Sequence, residues 1–150
     1  MPRKGDFMEF RHPQPEECVD VQAFVQTIVD EVYGGLWAQP PLPIGLEDWS
    51  DSWIAVDSDG FIGVVLTRGG WLEDLWISAG SRGRGVGSHL LGRAENEIAH
   101  RGIHTARLRV LSLNQIAIGF YRSRGWQVCG ERPHERFPVL VTEMQKHLGL

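Results

Sequence analysis

Apolar residues change their spacing along the chain, and the changes predict alternating strands and helices. Apolar and polar positions alternate over residues 7–11, which predicts a short strand. From residue 16 to about 33 the apolar residues recur at helical spacing, and Gly34-Gly35 ends that predicted helix. Three prolines interrupt residues 36–50, so this stretch is predicted to be an irregular loop.

The middle of the chain predicts a meander of three strands, over residues 51–56, 61–67 and 71–78. Asp59-Gly60 is typical of a hairpin turn, and Gly69-Gly70 provides the second turn. The remaining predicted elements are a helix that ends at Gly102, a strand over 104–111, a helix over 114–124, and strands over 126–131 and 140–145. This order predicts a mixed α/β (α+β) fold, with one domain over residues 1–150.

Composition and charge narrow the class of protein. The 150 residues are 42% hydrophobic and 23% charged, as in a globular domain. Residues 1–74 hold 14 Asp and Glu but 4 Lys and Arg, whereas residues 75–150 hold 5 and 11. This asymmetry favours a polyanionic ligand for the second half and a cationic acceptor for the first, unless the halves interleave and their fields cancel. Overall acidity and the scarcity of lysine disfavour nucleic acid.

Other features bear on location and on metal or thiol chemistry. The first six residues lack the apolar core of a signal peptide, and no apolar run approaches about 20 residues, which favours a cytoplasmic protein without a membrane span. Cys18 and Cys129 are predicted to be free thiols, with Cys129 buried and inert in an apolar strand. Gly102 separates His100 from His104, so no metal site is predicted.

A glycine-spaced turn, residues 82–87, lies between a predicted strand and a predicted helix. Its spacing is R-x-x-G-x-G, filled by Arg82, Gly85 and Gly87, and it matches neither the dinucleotide-binding nor the P-loop pattern. Glycines allow successive backbone N–H groups to converge, and the helix adds the positive end of its dipole. The turn is therefore predicted to bind a pyrophosphate, with a solvated Gly/Arg turn as the alternative. Ser88 is interpreted as a helix-start hydroxyl near a phosphate.

A second motif lies beyond the first, from Asn114 to Trp126. It follows the pattern N-x-x-A-x-x-F-Y-x-x-x-G-[FW]. Together the two motifs resemble the GNAT N-acetyltransferase superfamily, over about residues 51–146. The resemblance implies a central sheet of about seven strands with flanking helices and a splay between the strands near Ile77 and Val110. It also implies acetyl-CoA as acetyl donor, no metal, direct transfer to a primary amine, and a possible homodimer.

The resemblance implies which residues bind the cofactor. The backbone of residues 75–77 is expected to meet pantetheine, and residues 83–88 are expected to hold the pyrophosphate. The implied cofactor-binding residues are Leu75, Trp76, Ile77, Arg82, Gly83, Arg84, Gly85, Val86, Gly87, Ser88, Asn114, Ala117 and Tyr121.

Two catalytic roles are predicted. A phenol near the sulfur can protonate the departing thiolate, and Tyr121, which shares a helix face with Ala117, is the predicted acid. The alternative is that Phe120-Tyr121 is only a packing pair. An amine with a pKa near 10 must lose a proton before attack, and Glu73 is the predicted base, with Asp74 as its rival.

The acceptor is left open by the sequence. The strand Leu72-Glu73-Asp74-Leu75 resembles that of the diamine and polyamine branch, but the following residues depart from the usual P-E-x-R-G. A small-molecule amine, such as a polyamine or an amino acid, is the favoured acceptor. The alternatives are a protein or peptide acceptor, a non-catalytic acyl-CoA-binding module, and a basic-loop RNA-binding domain. Trp37 and Trp49 are interpreted as loop anchors rather than as the walls of an acceptor pocket.

Overall fold

The computed structural model describes residues 7–35 and 44–149. The strands are β1 (Glu9–Arg11), β2 (Trp53–Asp57), β3 (Gly60–Arg68), β4 (Trp71–Ile77), β5 (Thr105–Leu111), β6 (Gln127–Pro133) and β7 (Leu140–His147). The α-helices are α1 (Cys18–Tyr33), α2 (Val86–His100) and α3 (Gln115–Arg122). The seven strands form one mixed sheet in the order β1-β2-β3-β4-β5-β7-β6. The predicted mixed α/β sheet with flanking helices is confirmed, including the meander β2-β3-β4.

One difference from the predicted elements is the start of α1. Pro15–Glu17 form a 3-10 turn, so α1 begins at Cys18. Oε1 of Glu17 accepts hydrogen bonds from the Gln14 N–H and from Arg11 Nη1, both at 2.8 Å. The Arg11 hydrogen bond, followed by that from Gln14, lowers the pKa of Glu17. These bonds fix the chain between β1 and α1 in a tight turn that helical periodicity does not reveal.

The first of two compact units contains the described residues up to Leu66 together with Asp74–Ala94. β1, β2 and β3 pair antiparallel, with Phe10 opposite Ala55 and Ile54 opposite Val64. The residues that α1 buries are Val21, Val25, Ile28, Val29 and Tyr33. Their helical spacing accounts for the successful prediction of this helix.

Gly63 of β3 sets the distance between this strand and the start of α2. A Cβ atom at Gly63 would lie 2.9 Å from Leu90 Cδ1, 3.0 Å from Val86 Cγ1 and 3.0 Å from Ile77 Cδ1. These distances are shorter than ordinary van der Waals contacts, so a side chain at position 63 would force the surrounding side chains to shift. The first turn of α2 is therefore held tightly against β3.

The second unit contains Thr67–Glu73 and the described residues from Glu95 onwards. β4 pairs parallel with β5, with Leu72 opposite Leu108. β5 and β6 both pair antiparallel with β7, and Met144 lies opposite Leu108 on one side and Val128 on the other. Leu72, Leu108 and Met144 are buried and form the centre of this unit's core.

Trp49 is buried and anchors the segment that precedes β2. It is 2% exposed, and its Nε1 donates a hydrogen bond to Gln22 Oε1 on α1 at 2.6 Å. The loop-anchor interpretation is confirmed for Trp49. Trp37 and the three prolines of the predicted irregular loop lie outside the described residues.

Cys129 contradicts its prediction. Both cysteines are free, but Cys129 is exposed rather than buried. β6 is the edge strand of the sheet, and its residues before and after Cys129, Val128 and Gly130, are also accessible to solvent. An apolar run in the sequence cannot distinguish an edge strand from a central one, which is why the prediction was wrong.

The predicted single domain and the predicted splay near Ile77 and Val110 stay predictions. No α-helix in the described part of the chain has the length and apolar content that a membrane span requires.

Candidate active site

The glycine-rich turn follows directly from the end of β4. The N–H of Ser78 donates to the Ile62 carbonyl at 3.0 Å, and Ala79–Ser81 then form a 3-10 turn. Ser81 is buried, and its Oγ lies 3.0 Å from Ser78 Oγ. These hydrogen bonds fix the point at which the chain leaves the sheet.

Gly83 and Gly85 give the turn its backbone shape. Their φ angles are +83° and +80°, a region that residues with a Cβ rarely adopt. A Cβ atom at either position would meet nothing within 4 Å, so glycine is required by the backbone conformation and not by lack of space. Positive φ at these glycines alternates with the negative φ of Arg84, and this alternation is typical of turns whose successive N–H groups bind an anion.

The start of α2 adds donors to this turn. The Gly85 carbonyl accepts the His89 N–H at 3.0 Å, so Gly85 is the residue that caps the helix. The N–H groups of the first helical residues, Val86 and Gly87, have no carbonyl within the helix to bond. Val86 is 1% exposed and fixes this end of α2 against the sheet.

This arrangement fits a pyrophosphate. Gly83 and Gly85 are exposed, their positive φ angles are those of an anion-binding turn, and the helix dipole places partial positive charge at the start of α2. The Arg82 side chain is exposed and has no hydrogen-bond or ion-pair partner among residues 7–35 and 44–149. Arg82 is therefore available to neutralise a bound phosphate.

Arg84 differs from Arg82, although both lie in the same turn. Its Nη1 donates to Asp57 Oδ2 at 3.1 Å and lies 3.5 Å from Ser81 Oγ. Asp57 also accepts the Asp59 N–H at 2.8 Å. Burial of Asp57 alone would raise the pKa of its carboxyl group, but the hydrogen bonds from Asp59 and Arg84 outweigh burial and lower it. The Arg84 side chain is thus engaged by Asp57. The prediction that Arg84 binds the cofactor then concerns its backbone N–H, and it stays a prediction.

Leu75, Trp76 and Ile77 are the last residues of β4 before the loop, and each is half-buried. Trp76 packs edge-to-face on Tyr33 of α1, with ring centroids 6.4 Å apart. The terminal methyl group of Ile77 packs beside Gly63. Contact of this backbone with pantetheine stays a prediction.

The two adjacent acids of β4 have different surroundings. Asp74 is half-buried, and its Oδ1 accepts the indole N–H of Trp76 at 2.9 Å. Glu73 is exposed and has no hydrogen-bond or ion-pair partner within the described parts of the chain. Glu73 is therefore the carboxylate with lone pairs available to accept a proton from a substrate or from water.

Helix α3 carries the second motif. Asn114 caps it, and its Oδ1 accepts the Ala117 N–H at 3.2 Å. Tyr121, one turn beyond Ala117, is buried, and its ring packs edge-to-face on Phe120 and on Trp126, with centroids 5.4 Å and 6.0 Å away. The tyrosine ring is thus held between two aromatic neighbours at the end of the helix.

A partly buried ion pair fixes the end of α3. Trp126 Nε1 donates to Glu95 Oε2 at 3.3 Å, and Lys146 Nζ donates to Glu95 Oε1 at 2.7 Å. Lys146 Nζ also donates to the Arg124 carbonyl at 2.8 Å. Glu95 therefore connects α2, the end of α3 and β7 within the second unit.

Comparison with known proteins identifies the family. The acetyltransferase (GNAT) family model matches residues 23–126. The chain belongs to the GNAT family. Streptothricin acetyltransferase from Streptomyces lavendulae is 31% identical over a match of 88 residues that covers 54% of this chain and 47% of that protein. The match therefore spans about half the length of that curated relative.

Solved structures share the GNAT fold. YjaB from Escherichia coli, in its apo form, has a TM-score of 0.72 and 24% identity, with 96% of this chain and 99% of that chain covered. Ard1 from Thermoplasma volcanium has a TM-score of 0.76 and 16% identity, with 95% and 99% covered.

The predicted GNAT site residues fall into two groups. The first unit contains residues 82–88, the predicted phosphate turn, together with Leu75, Trp76 and Ile77. The second unit contains Glu73, Asn114, Ala117 and Tyr121. Among the described residues, no three His, Cys, Asp or Glu side chains are grouped so as to hold a metal ion.

Two polar residues beside these GNAT motifs were not predicted. The sequence placed Asp57 only in a turn and gave Glu95 no role. Their partners are 27 and 51 positions away along the chain, so no local pattern reveals them. The one signal is the residue type, since a carboxylate next to an apolar strand or helix face usually needs a cationic partner when it is buried.

Proposed function

We propose that this chain is an N-acetyltransferase that transfers the acetyl group of acetyl-CoA to the primary amine of a small molecule. The observation that carries the proposal is the glycine turn at the start of α2, which lies within the GNAT match and has the backbone conformation and exposed donors that a pyrophosphate requires.

Different groups of the turn and of β4 are proposed to bind different parts of acetyl-CoA. Backbone N–H groups between Gly83 and Ser88 hold the pyrophosphate, and Arg82 supplies a full positive charge. Leu75, Trp76 and Ile77 provide backbone groups for the pantetheine arm. Acetyl-CoA supplies an activated thioester, so that the amine nitrogen bonds to the acetyl carbon as the carbon–sulfur bond breaks.

Two side chains are proposed to transfer protons during the reaction. Tyr121 is the proposed acid, and its phenol donates a proton to the departing sulfur. Its support is the motif on α3 and the rigid packing of its ring between Phe120 and Trp126. Glu73 is the proposed base, directly or through one water, because its carboxylate is exposed and has no competing partner in the described part of the chain.

A small-molecule acceptor is supported by the curated relative that is named for streptothricin. The abundance of Asp and Glu in residues 1–74 also supports an acceptor that carries positive charge.

The decisive experiment is acetyl-CoA turnover with a panel that contains streptothricin, polyamines, amino acids and peptides with free N-termini. Release of free CoA thiol is measured, and the acetylated product is identified by mass. We expect turnover with at least one small cationic amine. Turnover with peptides alone would reassign the acceptor, and CoA binding without turnover on any amine would leave an acyl-CoA-binding module.

Tyr121→Phe and Glu73→Gln test the catalytic roles. Because each removes a proton-transfer group, kcat should fall by about 10²-fold or more, whereas the Kd for CoA should stay within about threefold. Asp74→Asn is the matched control for Glu73→Gln, since it alters the adjacent acid. A larger loss of kcat in Asp74→Asn than in Glu73→Gln would assign the base to Asp74.

A further inference from the structure

The phosphate turn contains a guanidinium, that of Arg84, which binds the neighbouring carboxylate of Asp57. The Asp57 side chain is 4% exposed, and that of Arg84 is 27% exposed. Both carboxylate oxygens of Asp57 are engaged, Oδ1 by the Asp59 N–H at 2.8 Å and Oδ2 by Arg84 Nη1 at 3.1 Å. A buried carboxylate in this position is unexpected, since it lies next to a loop that has to attract phosphate.

The ionised carboxylate of Asp57 is stabilised by two hydrogen bonds, one from the Asp59 N–H and one from Arg84. Hydrogen bonds lower the pKa of the carboxyl group and hold it ionised in spite of its burial. A buried anion needs a partner cation, so the Arg84 guanidinium is retained by Asp57. The Arg84 guanidinium is therefore already engaged by a carboxylate before any phosphate approaches.

The pair also constrains a loop that would otherwise be flexible. Arg84 lies between Gly83 and Gly85, the two residues with positive φ, and glycines lose more conformational entropy on ordering than other residues. The Asp57 contact attaches the middle of this Gly-Arg-Gly segment to the end of β2. The contact to buried Ser81 attaches it to the preceding 3-10 turn.

We propose that Asp57 is a positioning residue for the phosphate turn. Its ion pair with Arg84 fixes the turn, so that the N–H groups of Gly83, Gly85 and Val86 stay oriented for binding. Arg82 is then the arginine that contacts phosphate. The inference rests on the proposed acyl-CoA binding, and it assigns different tasks to two arginines that the motif alone does not distinguish.

A double-mutant cycle on CoA affinity tests the proposal. Asp57→Asn, Arg84→Met and the double variant are compared by isothermal titration calorimetry with CoA. If the two residues act as one unit, each single substitution weakens CoA binding about tenfold. The double variant then binds CoA no more weakly than the single variant with the lower affinity. Arg84→Lys, which keeps a cation near Asp57, should restore affinity to within about threefold of the parent.

Arg82→Met is the matched control. It should also weaken CoA binding about tenfold, but its effect should multiply with that of Asp57→Asn to about a hundredfold in the double variant. Tighter CoA binding in Asp57→Asn would overturn the proposal, because it would mean that Asp57 merely repels phosphate or withholds Arg84 from it. A multiplicative effect of Asp57→Asn and Arg84→Met would overturn it as well.

Amide hydrogen exchange gives a second measurement, which needs no ligand. Exchange at Gly83, Gly85 and Val86 should be faster in Arg84→Met than in the parent and unchanged in Arg82→Met. The double variant removes the buried charge together with its partner, so it gives a result even if a single variant does not fold, and its exchange at these three residues should also be faster than in the parent. Unchanged exchange in Arg84→Met would contradict the proposal that the Asp57–Arg84 pair orders the turn. Failure of the parent to bind CoA contradicts the proposed function instead, and the exchange data still decide whether the pair orders the turn.

Discussion

At the scale of single residues, two glycines near the phosphate turn differ in how much they need to be glycine. Gly85 has a φ of +80°, whereas Gly80, in the preceding 3-10 turn, has no positive φ. A Cβ atom added at either position would meet nothing within 4 Å. A side chain is therefore sterically accepted at both positions, and only at Gly85 does it strain the backbone.

Gly85→Ala should weaken CoA binding about tenfold, because a residue with a Cβ in the left-handed region costs about 1–2 kcal/mol. The Kd is measured by calorimetry. Gly80→Ala is the control, and its Kd should stay within about twofold of the parent. Equal effects of the two substitutions would mean that the positive φ at Gly85 is not needed for binding.

His89 illustrates how a single side chain couples stability to pH. Its ring stacks on Phe10 with centroids 3.6 Å apart, and its Nε2 accepts a hydrogen bond from Arg93 Nε at 3.1 Å. Desolvation, followed by repulsion from Arg93, lowers the pKa of His89. In the window between this lowered pKa and the unfolded value of about 6.5, the unfolded chain binds more protons. The contribution of His89 to stability is therefore complete above that window and is lost as the pH falls through it.

The free energy of unfolding should accordingly decrease more in the parent than in His89→Gln when the pH is lowered from about 7.5 to about 5. Urea denaturation at the two pH values measures the difference. The two proteins differ only at position 89, so the comparison isolates that side chain. A difference between the two proteins that does not change with pH would show that His89 has its ordinary pKa in the folded state.

At the scale of elements, α3 is held mainly at its C-terminal end. Gly125 has a φ of +92°, and the Trp126 N–H donates to the Tyr121 carbonyl at 3.1 Å, which is the pattern of a Schellman cap. Lys146 and Glu95 then bond to the residues of that cap. Because α3 has 8 residues, its stability depends on such tertiary contacts more than on helix propensity.

Glu95→Ala should lower the free energy of unfolding by about 2 kcal/mol, since it removes the carboxylate partner of Lys146 and the acceptor of the Trp126 indole N–H. Glu95→Gln keeps an acceptor oxygen and should cost less. Asn96→Ala, at the exposed neighbouring position on α2, is the control and should change stability by less than about 0.5 kcal/mol. Urea denaturation measures all three variants. Equal losses of unfolding free energy in Glu95→Ala and Asn96→Ala would show that Glu95 does not stabilise the C-terminal end of α3.

At the scale of the whole molecule, the sequence predicted what depends on local pattern. The seven strands and the helices follow from hydrophobic periodicity, and both motifs were found at the ends of the predicted elements. What it could not predict depends on position in the sheet or on distant partners. Cys129 is exposed because β6 is an edge strand, and Asp57 and Glu95 acquire their roles only from Arg84 and Lys146.

Ligand-induced stabilisation of the intact protein tests the proposed coenzyme site. It also distinguishes CoA binding from the RNA-binding alternative. CoA at about 100 times its Kd should stabilise the fold by about 2.7 kcal/mol and raise Tm by about 5–10 °C. Pantetheine, which lacks the pyrophosphate, should shift Tm by much less at the same concentration, because the turn between Gly83 and Ser88 then has no anion to bind. Differential scanning fluorimetry measures both shifts, with single-stranded RNA as the third ligand. A Tm that rises with RNA and not with CoA would assign the arginine-rich turn to nucleic acid, and equal shifts with pantetheine and CoA would place the binding energy outside the turn.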